Sequence, residues 1–514
     1  MKKKGILRKI IGIDNMQNTF LGNLQQATNY TLTENGAVTH KSTGSKVYDM
    51  FSLGGAYRKR SDEDCIVLFK NAFEENEALA LKCLFYLRDA RGGQGERRFF
   101  RVCFKWLCQN YPAAAIRNIE HLSEYGRWDD MWFATEGTPV FEKALEVVKH
   151  QLALDVQCKT PSLLAKWMPS ENTSSKATKA MAHTIRNYLG FTHKQYRKTL
   201  SILRERINIV ERLMSANEWD KIEFDKIPSR AGLIYKNAFA RRDIIAKKYE
   251  TFAKDKTTKV NASVLYPHEV AHKAFETRAK YGDTDREMIQ KYWDNLPNYY
   301  RDNVENGIAV VDTSGSMYGQ PIEVAISMGA YIAEKAHGPF ANHFITFSAN
   351  PNLIEFKGVD ITDKFNRCKQ ADWGMNTNIE AVFDLLLRTA EQESTRAEDM
   401  PERIYIFSDM EFDSCVCGGS INGGRWGYLE CLNRSGIDTL MERMAKRWAA
   451  AGYKLPSVVF WNVDARQNNI PAIGDGFNYV SGFSPVIIET ILSGRDGISL
   501  MLDKLNSERY AAIG

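Results

Sequence analysis

The chain lacks the features that mark membrane, secreted or disulfide-stapled proteins. Across its 514 residues no apolar run approaches the roughly 18 residues of a bilayer-spanning helix. The amino end, Met1 to Asp14, is basic and partly apolar, but it has neither a sustained hydrophobic stretch nor a small-residue cleavage site, so no signal peptide is expected there. The nine cysteines are odd in number and scattered mostly through apolar helical patterns. That usage points to a reducing compartment, cytoplasmic or otherwise intracellular, and a soluble protein. Cys415 and Cys417 form the only close pair, which reads as a loop coincidence. The helical segments share no fixed period, so the residues alone establish no regular repeat.

What is present is an ordinary globular composition, 44% hydrophobic and 25% charged, on a chain longer than one core usually supports. Two or more domains are therefore expected. The net charge of +5 conceals an asymmetry: residues 1 to 300 carry 49 Lys and Arg against 35 Asp and Glu, or +14, while residues 301 to 514 carry 19 against 28, or −9. Residues 151 to 250 alone hold 19 basic and 10 acidic side chains interspersed with aromatics. Such a surface suits a polyanion, because Lys and Arg neutralising phosphates supply most non-specific nucleic-acid affinity. The plainer alternative is that these side chains only solvate the outer faces of helices.

Residues 15 to 47 are rich in Asn, Gln, Thr and Gly and read as a poorly ordered arm or an extended segment that pairs elsewhere. From Asp62 the period becomes helical: Ala80, Cys83, Leu84 and Leu87 share one face, as do Phe99, Val102, Cys103 and Trp106. Further helices are expected around 112–123, 138–155, 176–189, 194–216, 231–253 and 267–294. Short connections between them suit an antiparallel stack, a helical-repeat solenoid of HEAT-like type. The break Arg91-Gly92-Gly93-Gln94-Gly95-Glu96 lacks the Lys-Ser/Thr ending of a P-loop and follows a helix, which argues against a nucleotide cradle. From 307 onward strands (307–311, 341–347, 403–408, 456–462, 478–481) alternate with helices (321–336, 378–390, 437–451, 485–492), the pattern of an α/β doubly wound, Rossmann-like sheet. The expected division is an arm over 1–61, an α-helical domain over 62–300 and an α/β domain over 301–514.

The chemistry concentrates where the first of those strands ends. Ile308-Ala309-Val310-Val311 is uncharged and suits a strand buried on both faces, and open α/β sheets place ligands at the carboxyl ends of such strands. There Asp312, Ser314 and Ser316 offer only hard oxygen donors, which suit Mg²⁺ or Mn²⁺ and not zinc or copper. With two neutral hydroxyls in the set, the ion would stay electrophilic and accept a partner's carboxylate or phosphate. An ordinary turn with capping hydroxyls is the competing explanation.

At these residues the chain resembles the von Willebrand factor A domain, whose metal-ion-dependent adhesion site uses Asp-x-Ser-x-Ser, then a Thr on a second loop and an Asp on a third. Gly374-Met375-Asn376-Thr377-Asn378-Ile379 and Arg403-Ile404-Tyr405-Ile406-Phe407-Ser408-Asp409 supply those loops, so the resemblance implies Thr377 and Asp409 as further ligands. The family often has glycine after that last Asp; here Met410, Glu411, Phe412 and Asp413 follow. A helical part before an A-type part is the order of the TROVE family, whose Ro autoantigen members hold structured RNA on a basic helical ring. Residues 62 to 500 look more similar to an uncharacterised family with the same two parts. That likeness is carried by the run Phe85 to Arg97, Tyr125-Gly126-Arg127-Trp128-Asp129-Asp130, Lys166-Trp167-Met168-Pro169-Ser170-Glu171-Asn172, Tyr196-Arg197-Lys198 and Ser408-Asp409-Met410-Glu411-Phe412.

One rival motif remains. His268-Glu269-Val270-Ala271-His272 matches the zincin pattern, in which the His pair would bind zinc and Glu269 would act as general base. Three function classes follow. The leading one is a non-enzymatic RNA-binding ribonucleoprotein scaffold, with Arg88, Arg91, Arg97, Arg98, Lys166, Lys176, Arg197, Lys198 and Arg204 as candidate RNA contacts and a Mg²⁺ or Mn²⁺ site recruiting a ligand that offers an Asp or Glu carboxylate. The second is a protein-interaction adaptor using the metal site without nucleic acid. The third is a zinc protease through His268, Glu269 and His272. No membrane partner is expected.

Overall fold

The computed structural model describes residues 28–276, 282–300, 306–347, 351–370, 377–413, 440–493 and 496–514. Gly374-Met375-Asn376, like Cys415 and Cys417, lie outside them. The described cysteines are free thiols, with Cys158 exposed and the others buried. Among the described residues no helix is long and apolar enough to cross a membrane.

Two compact units interleave in sequence. One takes the described residues up to Ala80, Tyr266–Glu276 and Asn298–Ser507; the other takes Leu81–Leu265, the described part of Thr277–Pro297, and Glu508–Gly514.

The first unit is built on a hairpin, β1 (Tyr30–Leu32) and β2 (Val38–His40), and six further strands: β3 (Gly307–Asp312), β4 (His343–Phe347), β5 (Asn352–Glu355), β6 (Arg403–Ser408), β7 (Ser457–Asn462) and β8 (Phe477–Ser481). The six form one sheet in the order β5-β4-β3-β6-β7-β8. All neighbours run parallel except β5, which returns antiparallel along the edge beside β4. Every residue of β3 and β6 is buried, as continuous Val/Ile/Phe runs require when helices cover both faces. The helix Gln320–Lys335 packs on β3. Gly329 permits that approach, since a Cβ there would meet Val311 Cγ2 at 2.5 Å. Parallel order carries the ends of β3 and β6 to the same edge, so Asp312 and Asp409 emerge side by side.

The second unit is helical, with Arg97–Asn110, Phe141–Gln157, Lys176–Leu189, His193–Ile207, Ser229–Arg241, Asp243–Lys254 and Gly282–Asp294 as its longer members. Stretches that read as single helices are interrupted by local chemistry. The 194–216 stretch breaks at Asn208, whose left-handed φ of 52° ends one helix before the next begins at Val210; Asn tolerates that conformation better than most residues. Within this unit Arg509 and Tyr510 both bond the buried Asp89.

Candidate metal site and a cationic surface

Asp312 is fully buried, and its carboxylate is held from two sides: Oδ1 accepts the Ser314 backbone N–H at 2.9 Å and Oδ2 the Ser408 hydroxyl at 2.5 Å. Ser314 and Ser316 hydroxyls stand 2.9 Å apart, and the Ser316 hydroxyl is in turn a partner of Asp409. Burial and the neighbouring Asp409 hold the Asp312 carboxyl well above the usual carboxylate range, and burial raises the Asp409 carboxyl. Two buried acids this close favour either a proton or a cation between them. Among the described residues Asp409 Oδ2 is buried with no hydrogen-bond partner, and Arg466 Nε lies 3.6 Å away, beyond hydrogen-bond reach. An orphaned carboxylate oxygen, a second acid and two hydroxyls form an all-oxygen set that fits a hard divalent cation.

Thr377 is tied to this group from the side. Its hydroxyl donates to Asp413 Oδ1 at 2.7 Å, and its N–H donates to Asp413 Oδ2 at 3.1 Å. Asn35, in the β1–β2 turn, donates to the Thr377 hydroxyl at 3.0 Å and to the Glu411 carbonyl at 2.6 Å. The two additional acids after Asp409 are therefore used internally. Asp413 fastens Thr377, while Glu411 accepts the Glu34 N–H at 2.7 Å and the Asn469 amide at 2.8 Å; burial pushes the Glu411 carboxyl up to about 7. Met410 makes this path possible by adopting a φ of 65° with its side chain buried, a conformation that ordinarily favours glycine. The hairpin is anchored further where Thr33 donates to the Phe412 carbonyl at 2.6 Å and Glu34 pairs with Arg466 at 3.1 Å. Asn35, Glu34 and Arg466 were not among the sequence candidates. Only their polarity could have drawn notice, since their partners lie hundreds of residues away.

The zincin-like residues are engaged separately. The His268 ring packs edge-on against Phe483 at 5.0 Å, His272 pairs with Glu323 and Glu276, and Glu269 accepts the Tyr266 N–H at 2.9 Å, a cap for its own helix.

In the helical unit, three sequence segments converge. Arg88, 3% exposed, donates to Asp130 at 2.8 Å, and Arg101 reaches the other oxygen of the same carboxylate at 2.6 Å. Gly126 leaves room for that pair, because a Cβ there would stand 2.3 Å from Asp130 Oδ2. Arg127 and Arg101 both bind Asp129, and the Arg127 guanidinium lies over the Trp167 ring at 3.9 Å. Arg97 is exposed beside them. Partial burial and the charges of Arg127 and Arg101 lower its pKa, and among the described residues no acid forms an ion pair with it.

The remaining candidates divide by their bonds. Arg204 donates to the carbonyls of Ala165 and Met168, at 2.8 Å each, and to Ser170, so it fastens a loop. Arg91 holds the Glu124 carbonyl and Lys166 stands 3.7 Å from Glu211. Arg98 is half-buried, while Lys176, Arg197 and Lys198 are exposed. In the glycine-rich break, the N–H groups of Gln94, Gly95 and Glu96 donate to carbonyls of Tyr86, Asp89 and Leu87. They close the end of a helix and are not turned toward a phosphate.

A family model described as a domain of unknown function, DUF2828, matches residues 33–132 and 140–304, and a second, DUF7788, matches residues 306–509. The chain is 30% identical over 512 aligned residues to uncharacterized protein L728 of Acanthamoeba polyphaga mimivirus, covering 91% of this chain and 85% of that one. An all-helical region followed by an α/β region with a mostly parallel six-stranded sheet is thus the framework of a two-part protein, and the chain belongs to the DUF2828 family, with a DUF7788 domain after it.

Proposed function

We propose that this protein is a non-enzymatic RNA-binding scaffold in which a HEAT-like helical region grips phosphates and an A-type domain holds Mg²⁺ or Mn²⁺ for an acidic ligand. The observation that carries the nucleic-acid part is Arg97, an exposed guanidinium with no ion-pair acid among the described residues, beside Arg101 and Arg127. Cations set close together repel one another, so an arrangement of this kind gains most from a polyanion. Arg127 on Trp167 adds a flat face next to the charge, the combination used for bases and phosphates together. Lys176, Arg197 and Lys198, exposed in the same unit, would add further contacts; Arg88 and Arg204 act by holding the framework.

The metal part is supported by the orphaned Asp409 oxygen. Asp312, Ser314, Ser316 and Asp409 would hold the ion, with Thr377 as a neighbouring ligand. Glu34 and Asn35 cover part of this edge, so an incoming carboxylate competes with the chain's own turn. That competition also favours the second reading, an adaptor that captures a protein's Asp or Glu without nucleic acid. An electrophoretic shift with mixed cellular RNA separates the two. The RNA reading expects binding that weakens steeply with salt, and Arg97→Glu with a smaller salt dependence, its log–log slope reduced by about 1. Absence of a shift at low salt would leave the adaptor alone.

A further inference from the structure

The strongest unassigned cluster lies in the helical unit, where the helices Lys176–Leu189 and His193–Ile207 are joined by a tight turn. Gly190, at a φ of 70°, and Phe191 close the first helix by donating to carbonyls of its last turn. Thr192 then starts the second with a reciprocal capping box to Gln195. The short connection sets His183, two turns before the end of one helix, against His193, the first residue of the next. Their rings stand 5.7 Å apart, edge to face. Glu171, from the segment before the first helix, reaches between them. Its Oε1 is 2.9 Å from His193 Nδ1 and 3.9 Å from His183 Nε2, and one ligand atom from each of the three residues lies within 4.8 Å of the others.

Three facts turn this from a surface contact into a coordination set. The Glu171 side chain is 6% exposed, and among the described residues its Oε2 has no hydrogen-bond partner. Arg186 Nε lies 3.0 Å from Oε1 but off the hydrogen-bond direction, so it fixes the carboxylate electrostatically without a hydrogen bond from Nε. The donors also have suitable spacing: around an ion with bonds of about 2.0–2.1 Å, adjacent ligand atoms stand roughly 3.0–3.4 Å apart, and small rotations of the exposed histidines reach that range. Two imidazoles and one carboxylate are the donors that Zn²⁺ and related divalent transition ions prefer, in contrast to the all-oxygen set at Asp312.

We infer that Glu171, His183 and His193 form a site for a divalent transition-metal ion of the zinc class, leaving at least one coordination position for water or an anionic group. The bound ion clamps the helix-to-helix turn to the 168–175 segment. Because both histidines are exposed, their removal spares the core. Titration of the full-length protein with zinc chloride, in excess Mg²⁺ to saturate the oxygen site, tests the assignment. Wild type, Asp312→Ala and His272→Ala should bind one zinc equivalent alike. His183→Ala and His193→Ala should each weaken that binding by about tenfold or more, and the double variant should abolish it with an unchanged circular dichroism spectrum. Co²⁺ substitution should give a visible d–d band that the double variant loses. A zinc isotherm that survives in the double variant, or wild-type protein that binds no zinc, would overturn the proposal.

Discussion

Two regions bury charge, and they balance it differently. In the helical unit, the carboxylates of Asp129 and Asp130 are enclosed by Arg88, Arg101 and Arg127. In the α/β unit, Asp312 and Asp409 share a buried edge, and the Arg466 guanidinium stands 3.6 Å from one oxygen of Asp409. In the first, each carboxylate is met by guanidinium groups, and Arg97 lies exposed beside them. In the second, among the described residues, one oxygen of Asp409 is left without a hydrogen-bond partner. Charge that closes on itself serves the fold; charge left open on one sign points to what must come from outside.

The largest test breaks the closed network. Asp130→Ala strands Arg88 in the interior and should cost about 3–5 kcal/mol, read as a lowered midpoint of chemical denaturation. If the loss is below about 1 kcal/mol, the network is not closed in the sense argued. Next, the open site should be completed by its missing charge. Saturating Mg²⁺ should raise wild-type stability by about 2.7 kcal/mol at a hundredfold excess over the dissociation constant, and Asp312→Asn should erase the gain. An equal gain in the variant would move the ion elsewhere. The smallest effect concerns Asp129. Burial alone would raise its pKa, but the hydrogen bond from Arg127 and the charge of Arg101 win and lower it. A carboxyl depressed on folding stabilises above its unfolded pKa and loses that contribution as the pH falls through the folded value. Asp129→Asn should therefore flatten the stability profile below about pH 4 and leave it parallel to wild type near neutrality. Unchanged acid sensitivity would show that the Arg127 contact carries no linkage.

Much of the α/β framework was legible because buried parallel strands are written as unbroken apolar runs: β3, β6 and β7 fall within a residue or so of where Val, Ile and Phe cluster. The edge strand β5 was not, since Asn352-Leu353-Ile354-Glu355 is mostly exposed and lacks alternation. At the site, Asp312, Ser314 and Ser316 could be picked out from their spacing, and Asp409 from the resemblance to the A-type domain. The roles of Glu411 and Asp413 could not, because each is decided by partners on other loops. The same holds for Arg88. A basic residue ending an amphipathic helix reads as solvated, and its burial depends on an aspartate 42 positions later. The polar 15–47 stretch left two outcomes open, and for its described residues the pairing one is observed. Local pattern reports the period of an element; it does not report where a polar side chain finds its complement.

The β1–β2 turn has a consequence for how the molecule comes into being. Glu34 bonds Glu411 across a separation of 377 residues, so a growing chain exposes the turn long before its counterpart exists. Contacts of such separation form late, after the loop between them has lost its freedom. The pairing of this turn with Glu411 is thus expected among the last steps of folding, since it waits on residues made 377 positions later.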